Sequence, residues 1–148
     1  MLALVQRVAE ARVEVGGTVV GRIGRGLLVF VCAEVGDTDA QVPRLVDKLL
    51  KLRVFADAAG KMNLDVRTVE GGVLIVSQFT LIADTQTGNR PSFSRAATPA
   101  EARRLYDHFV LCMRERHPDV ACGQFGADMQ VHLINDGPVT IPIAIGPL

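Results

Sequence analysis

Residues 27 to 33 read LLVFVCA, an apolar run with no polar position on either face. A strand alternates its side chains between the two faces of a sheet, so both faces of this one must be covered by other parts of the chain. The run is much shorter than the roughly 20 apolar residues that span a bilayer, and no other run approaches that length. The sequence therefore predicts a layered domain around a buried sheet, with no membrane span.

Glycine-containing turns separate the other strand-like segments. ALVQRVAEARVEV and TVVGRI alternate apolar and polar residues around Gly16-Gly17, which predicts a hairpin with one buried face. RVFAD and GGVLIVSQF read as further strands. Near the end, DMQVHLI and VTIPIAI read as two more strands, and Gly137-Pro138 between them has the composition of a tight turn. Local sequence alone favours an ordinary turn there.

A first helix is predicted by the capping box from Thr38 to Gln41 and the apolar spacing that follows it. This helix is expected to end near Leu52. Pro43 lies inside the expected first turns and has no N–H to donate, which leaves open a start at Pro43 itself. The apolar residues at helical spacing are Val42, Leu45, Val46 and Leu49.

A second helix is predicted by a complete set of start signals: Thr98 as the cap, Pro99 at the first position and Glu101 closing a capping box. His117-Pro118 is expected to end it. One apolar stripe runs along this helix and comprises Ala102, Leu105, Tyr106, Phe109, Val110 and Met113. The fold class predicted from these elements is α/β, with residues 1–148 forming a single domain. Its β-rich layered sheet or barrel-like core carries two main helices.

The charge balance argues against nonspecific nucleic-acid binding. Lys and Arg together number 16, as do Asp and Glu, so the formal net charge is zero and any RNA contact must be local. We expect no DNA partner. The first residues have no signal-peptide pattern, so a cytoplasmic location is expected.

Neither metal nor redox chemistry is indicated. Cys32, Cys112 and Cys122 are odd in number, lack metal-binding spacing and lie in apolar contexts, which predicts reduced core thiols. The three histidines, His108, His117 and His132, are far apart and belong to no metal-ligand motif. No phosphate-binding glycine motif is present either. We therefore expect neither metal nor organic cofactor.

Polar residues interrupt the apolar pattern most densely in VSQFTLIADTQTGNRPSF, where a buried-looking strand runs into a long loop. A nucleophilic Ser77 or Thr80 would need a nearby base, and neither a nucleophile elbow nor a Ser-His-acid set is evident. The same hydroxyls could instead bond the backbone at a strand end. This stretch alone leaves both interpretations open.

Several separated motifs, considered together, resemble the D-aminoacyl-tRNA deacylase family, also called the D-tyrosyl-tRNA deacylases. They occur in order along essentially the whole chain, which makes the combination far more specific than any one motif. The motifs are LVQRV at the start, KMNL at 61–64, SQFTL at 77–81, RPSF at 90–93, FGADM at 125–129 and NDGPVT at 135–140.

The resemblance implies a homodimer that hydrolyses the ester between a D-amino acid and the terminal ribose of tRNA. In that family the Gly-Pro pair is cis and enters the partner subunit's pocket, so Gly137-Pro138 is expected to exclude L-aminoacyl groups by steric rejection. Glycyl-tRNA, which has no side chain to reject, should also be accepted. The partners implied are the aminoacyl-tRNA 3′ end and a second copy of the chain.

The resemblance also assigns roles to single residues. Backbone N–H groups of Phe79 and Thr80 are expected to hold the ester carbonyl, while Ser77 and Gln78 orient the ester and the ribose. The ribose 2′-hydroxyl would then assist the attacking water. Phe125 and Met129 are placed beside the terminal adenosine, although core residues would have the same appearance in sequence.

Two other functions remain open from sequence: a covalent Ser/Thr esterase and a noncatalytic module that binds tRNA ends. The sequence also leaves open how four arginines share the tRNA phosphates. These arginines are Arg90, Arg95, Arg103 and Arg104.

Overall fold

The computed structural model describes residues 1–147, which form one mixed sheet with two helices and a small separate hairpin. A short 3-10 turn, Phe79–Ile82, follows the sixth strand. In chain order the elements are β1 (Leu2–Val15), β2 (Thr18–Ile23), β3 (Gly26–Cys32), α1 (Gln41–Leu50), β4 (Phe55–Ala56), β5 (Met62–Leu64), β6 (Gly72–Ser77), α2 (Pro99–Arg116), β7 (Val120–Cys122) and β8 (Gln130–Ala144).

Strand β1 has hydrogen-bonded partners on both edges. Strands β2 and β3 follow one another along one edge, from the pair Val15↔Thr18 to the pair Leu2↔Cys32. Strand β8 runs antiparallel along the other edge. Parallel β6 and β7 extend the sheet beyond β3. The result is the barrel-like α/β architecture that the sequence predicted.

The ends of the sheet come together where β2 passes β7. A Cβ added to Gly21 on β2 would lie 3.1 Å from the carbonyl carbon of Cys122 on β7. Only a residue without a side chain allows the two backbones to approach this closely. Gly21 therefore permits the sheet to curve into a nearly closed barrel.

Alternate residues of β3 belong to two different cores, as the unbroken apolar run predicted. Leu27, Val29 and Val31 pack in the core that includes both helices. Leu28 belongs to the second core, on the inside of the barrel, and Phe30 packs against it. Because both faces are covered, β3 is almost completely buried, and this packing fixes the orientation of the strand in the sheet.

Helix α2 confirms its predicted start and end. The Thr98 hydroxyl accepts a hydrogen bond from the Glu101 N–H at 3.4 Å, Pro99 is the first helical residue, and His117 is the C-cap. The stripe on its inner face is buried, apart from Ala102, which is partly buried, and Cys112 joins it.

Helix α1 runs from Gln41 to Leu50, so it begins between the two predicted starts and ends two residues before Leu52, near which its end was expected. Ala40 is the N-cap and its side chain makes no capping bond. The Gln41 side chain instead accepts from the Thr38 N–H at 2.8 Å, which is half of the predicted capping box. Pro43 is tolerated because the first-turn N–H groups of a helix have no partner within it.

The two final strands predicted around Gly137-Pro138 are in fact one strand, β8. Asn135 pairs with Val8 and Thr140 pairs with Gln6, so both flanks remain beside the same strand β1. The four residues from 136 to 139 bulge outward between these pairs. The local interpretation as an ordinary tight turn between two strands was therefore wrong: Gly137-Pro138 forms an extended bulge on a continuous strand.

Smaller predictions had mixed outcomes. The hairpin at Gly16-Gly17 is present, and the three cysteines are free thiols, two of them buried. The predicted strand RVFAD shrinks to β4, and the strand through Phe79 ends at Ser77. Among residues 1–147, no helix is both long and apolar enough to span a membrane.

Gly26 provides a test of the sheet. It pairs with Gly72 where β3 meets β6, and an added Cβ would overlap the Gly72 carbonyl oxygen and lie 2.7 Å from its carbonyl carbon. We expect Gly26→Ala to lower the free energy of unfolding by about 1–3 kcal/mol, because the strands must move apart. Chemical denaturation measures this, and Gly24→Ala, where nothing lies within 4 Å, is the matched control. Equal stability of the two variants would contradict the tight contact.

Candidate active site

A cavity of about 490 Å³ lies where the parallel strands β3, β6 and β7 end together. The carboxyl ends of parallel strands meet at one edge of a sheet, and the segments that follow them there commonly build ligand sites. Here those segments are Ala33 after β3, residues 77–79 at the end of β6, and the loop after β7. The start of α2, at Pro99, forms the opposite wall.

The cavity brings together five of the residues predicted from sequence: Ser77, Gln78, Phe79, Phe125 and Met129. Thr80 follows directly but is not part of the lining; its hydroxyl accepts a hydrogen bond from the Gln78 side-chain amide. Gly137 and Pro138 do not line this cavity in their own chain.

The backbone at the cavity edge is fixed by the sheet. The Gln78 N–H donates to the Val31 carbonyl at 2.9 Å, which continues the β3–β6 ladder by one bond. The first hydrogen bond of the 3-10 turn is donated by Leu81 to the Gln78 carbonyl, at 3.3 Å. The N–H groups of Phe79 and Thr80 therefore precede the hydrogen bonds of the turn itself and are available to other acceptors.

Aromatic rings flank the cavity. Phe125 contacts Tyr106 at 5.6 Å between ring centroids, and the Arg103 guanidinium lies 5.6 Å from the Phe125 ring. Phe79, which is half exposed, packs edge-to-face on Phe93 at 5.0 Å. These contacts fix Phe125 in place beside the cavity.

Two ionisable side chains line the cavity, and both are neutral at neutral pH. Burial, with a smaller contribution from Glu34, raises the pKa of the Cys32 thiol to about 11, so it is not a thiolate at neutral pH. Burial also raises the pKa of Tyr106, whose hydroxyl donates to the Ile75 carbonyl at 3.3 Å. The sequence interpretation treated both residues only as core. The one sign in the sequence that Tyr106 could lie near the site is that the apolar stripe of α2 begins just after the polar loop.

No histidine in the described chain is positioned to activate Ser77 or Thr80. His108 pairs with Asp39 at 2.9 Å, and His117 is buried with its Nε2 2.7 Å from the Gly71 carbonyl oxygen. His132 lies beside Arg12 and Glu14 on the other side of the barrel. Within residues 1–147 there is also no group of three or more His, Cys, Asp or Glu side chains suited to a metal ion.

A more open groove of about 570 Å³ lies between β1, β2 and β8. Arg12 contacts Glu14 at 2.9 Å, and His132 lies 3.3 Å from each of these side chains. The Arg12 hydrogen bond holds the pKa of the Glu14 carboxyl below its ordinary value. Arg12 and His132 of the lining are therefore held by Glu14, and the groove contains none of the site residues predicted from sequence.

The bulge on β8 is fixed from both sides. The Asn135 side chain accepts from the Val139 N–H at 2.8 Å and donates to the Thr140 hydroxyl at 3.0 Å. Arg7, from the facing strand, donates to the Asp136 carbonyl at 2.9 Å and to the Val54 carbonyl at 2.6 Å. The Gly137-Pro138 peptide is cis, and both residues are exposed.

Gly137 has a φ of +146°, and an added Cβ would lie 2.8 Å from the Val139 backbone nitrogen and 2.7 Å from its side chain. A side chain at this position would therefore displace the bulge.

Two solved structures resemble the whole fold. One, a c-Myc DNA unwinding element binding protein, has a TM-score of 0.94 and 40% identity, with 99% of this chain and 100% of that one aligned. Another, described as a probable eukaryotic D-amino acid tRNA deacylase, has a TM-score of 0.82 at 19% identity, with coverage of 97% and 98%. At that identity the second likeness shows the fold alone.

The sequence comparisons are more specific. Two proteins named D-aminoacyl-tRNA deacylase, from Aromatoleum aromaticum and Paracidovorax citrulli, are 69% and 65% identical over 147 residues. The alignments cover 99% of this chain and 97% and 95% of theirs. The family model described as D-Tyr-tRNA(Tyr) deacylase matches residues 4–144, a segment that contains both the cavity motifs and the bulge on β8. The resemblance seen in the motifs is confirmed, and the chain belongs to the D-Tyr-tRNA(Tyr) deacylase family.

Proposed function

We propose that this protein hydrolyses the ester bond of D-aminoacyl-tRNA, releasing the amino acid and the tRNA. The observation that carries the proposal is the turn after β6. It presents the backbone of Phe79 and Thr80 at the edge of the cavity that residues of the family motifs line. Incubation with D-Tyr-tRNA, L-Tyr-tRNA and glycyl-tRNA tests it. Cleavage of the D and glycyl esters, with the L ester spared, is the expected result.

In the proposed reaction, water adds to the ester carbonyl and the developing oxyanion is held by the N–H groups of Phe79 and Thr80. The carbon–oxygen bond to the ribose then breaks, and the ribose oxygen leaves with one proton of the attacking water. The amino acid is released as a carboxylate, and the second proton of the water passes to solvent. The Ser77 and Gln78 side chains orient the ester and the ribose. The 2′-hydroxyl next to the ester assists the attacking water, since the described residues place no basic side chain there.

The terminal adenosine is expected to bind next to Phe125 and Met129. Both residues line the cavity, and Phe125 is partly exposed while being held by Tyr106 and Arg103. An aromatic face that is fixed and accessible suits stacking on a base. The adenosine would then anchor the ester beside residues 77–80.

Chiral selection is assigned to Gly137 and Pro138 of a second copy of the chain. Both are exposed and lie outside the lining of their own cavity, so they are free to enter another. The carbonyl of Gly137 would face the substrate α-carbon and leave no room for an L side chain, whereas a D side chain points away. Glycine has only hydrogens on its α-carbon, so a glycyl group would also be accepted.

A surface beside the bulge is suited to the second copy. Strand β8 is an edge strand of 15 residues, and an apolar row crosses three neighbouring strands, with Leu4 and Phe30 partly buried and Pro142 exposed. A long edge strand with an apolar face is normally covered in the folded state. We propose a two-fold dimer built on this surface, with two equivalent sites.

Other functions have less support. A covalent esterase needs an activated hydroxyl, and Thr80 accepts only from a neutral amide. A module that merely binds tRNA ends would not need the exposed N–H groups beside the cavity. One structural relative is named for binding a DNA element, but here 16 basic residues are balanced by 16 acidic ones, so no DNA partner remains our expectation.

The backbone assignment predicts a contrast at one position. Thr80→Ala should keep most of the deacylase activity, whereas Thr80→Pro should lose roughly 10²- to 10³-fold in turnover, because proline removes one oxyanion donor. Single-turnover deacylation of D-Tyr-tRNA measures both, with circular dichroism as the folding control. If Thr80→Ala folds and binds substrate but is inactive, the hydroxyl is the nucleophile after all.

Chiral selection predicts a specific loss in Gly137→Ala. The added methyl group must displace the Val139 side of the bulge, so the D-over-L ratio should fall at least about tenfold, equivalent to about 1.4 kcal/mol. Rates on D-Tyr-tRNA and L-Tyr-tRNA give this ratio. Gly146→Ala is the matched control, because nothing lies within 4 Å of its added Cβ. An unchanged ratio would remove Gly137 from the selection step.

Mixing two variants tests the cross-subunit arrangement. A heterodimer of Gly137→Ala and Thr80→Pro contains one damaged site and one intact site, because the damaged bulge enters the damaged pocket. Random re-pairing should restore selective D-deacylation to about a quarter of the wild-type level. Sedimentation confirms the dimer. If each subunit served its own pocket, the mixture would show no selective activity above that of the separate variants.

A further inference from the structure

A groove of about 530 Å³ adjoins the cavity and shares Tyr106 and Phe125 with it. It runs along the exposed side of α2 towards β2 and the loop after β7. A ligand held against Phe125 in the cavity would therefore continue into this groove without crossing another wall.

The groove carries positive charge that is not fully neutralised. Arg114 is exposed and forms no ion pair with a carboxylate among residues 1–147; its guanidinium donates to the Cys122 sulfur at 3.6 Å. Arg103 is 63% exposed, and its Nε lies 3.7 Å from Asp107, the acidic residue in the groove. That separation is too long for a hydrogen bond.

Two nearby arginines, in contrast, form short ion pairs with carboxylates. Arg104 lies 2.8 Å from Asp39 and 3.1 Å from Glu101, and Arg95 lies 2.9 Å from Glu34. Binding a phosphate there would mean giving up an existing partner. Arg103 and Arg114 can bind an anion without breaking a short ion pair, so the free-energy cost of binding is smaller.

Apolar side chains in the same groove are unusually accessible. Leu111 is 58% exposed and Val20 is 42% exposed. Accessible apolar groups beside guanidinium groups match single-stranded nucleic acid, which presents base and sugar faces next to phosphates.

We propose that this groove binds the nucleotides immediately preceding the terminal adenosine of the tRNA 3′ end, with Arg114 contacting a phosphate. Arg103 marks the junction, between the Phe125 ring and the start of the groove. The inference rests on the proposed function, which places the adenosine beside Phe125. It assigns the local RNA contact that a chain without net charge requires.

The test compares Arg114→Glu with Lys48→Glu, the same charge reversal on α1 and outside the groove. Two substrates are used: D-Tyr-tRNA, and the D-tyrosyl ester of adenosine alone. Arg114→Glu should raise KM for the tRNA on the order of tenfold and leave the adenosine ester unchanged. The slope of log(kcat/KM) against log[salt] for the tRNA should become shallower by about 0.7, the value for one phosphate on a single strand. Lys48→Glu should match wild type on both substrates.

The other outcomes contradict the inference in distinguishable ways. Normal KM and salt dependence of Arg114→Glu on tRNA would remove the groove from RNA binding. An equal loss on both substrates would mean that Arg114 supports the cavity through α2. A shift to monomer on sedimentation would identify the groove as a subunit interface. If wild type cleaves neither ester, the proposed function itself fails.

Discussion

The structure depends on the pairing of β1 along both of its edges. One edge carries β2 and β3 in succession, and the other carries the whole of β8. This arrangement joins the beginning of the chain to its end, and the sheet curves around the second core until β2 passes β7. It also fixes the bulge at residues 136–139, because the strand on both sides of it is hydrogen-bonded to β1. An exposed loop of this length would otherwise sample many conformations.

The same sheet explains the position of the cavity. Strand β6 is the parallel neighbour of β3, so the two strands end side by side at Val31 and Ser77. The bond from Gln78 to Val31 then starts a turn at a defined point. Catalysis that relies on backbone N–H groups needs this kind of rigidity, because oxyanion stabilisation depends on donors already in place.

Local signals in the sequence predicted the elements that are decided locally. Helix α2 has its cap, Pro99 and apolar stripe in one continuous segment, and the Gly16-Gly17 hairpin needs only its turn. Strand β7 was missed because three half-buried residues carry no periodic pattern. The sequence predicted two strands in place of the single strand β8, because its continuity comes from pairing with β1, 116 to 142 residues earlier, and not from its own composition.

The candidate site also has parts that local sequence predicts and parts that depend on the fold. Family motifs located Ser77, Gln78, Phe79, Phe125 and Met129, and the fold gathers them around one cavity. The sequence did not predict Tyr106 and Cys32 as part of the cavity lining, since both look like ordinary core residues in sequence. Their environment could only come from the fold. Tyr106 reaches the Ile75 carbonyl across the sheet, and Cys32 lies buried 3.6 Å from the Phe79 carbonyl oxygen. Both are protonated near neutral pH, and burial raises the pKa of each further. The cavity is thus lined by uncharged side chains, and its polar groups are the backbone together with the Ser77 and Gln78 side chains. Under the proposed function, an ester would meet no charged side chain competing for its carbonyl.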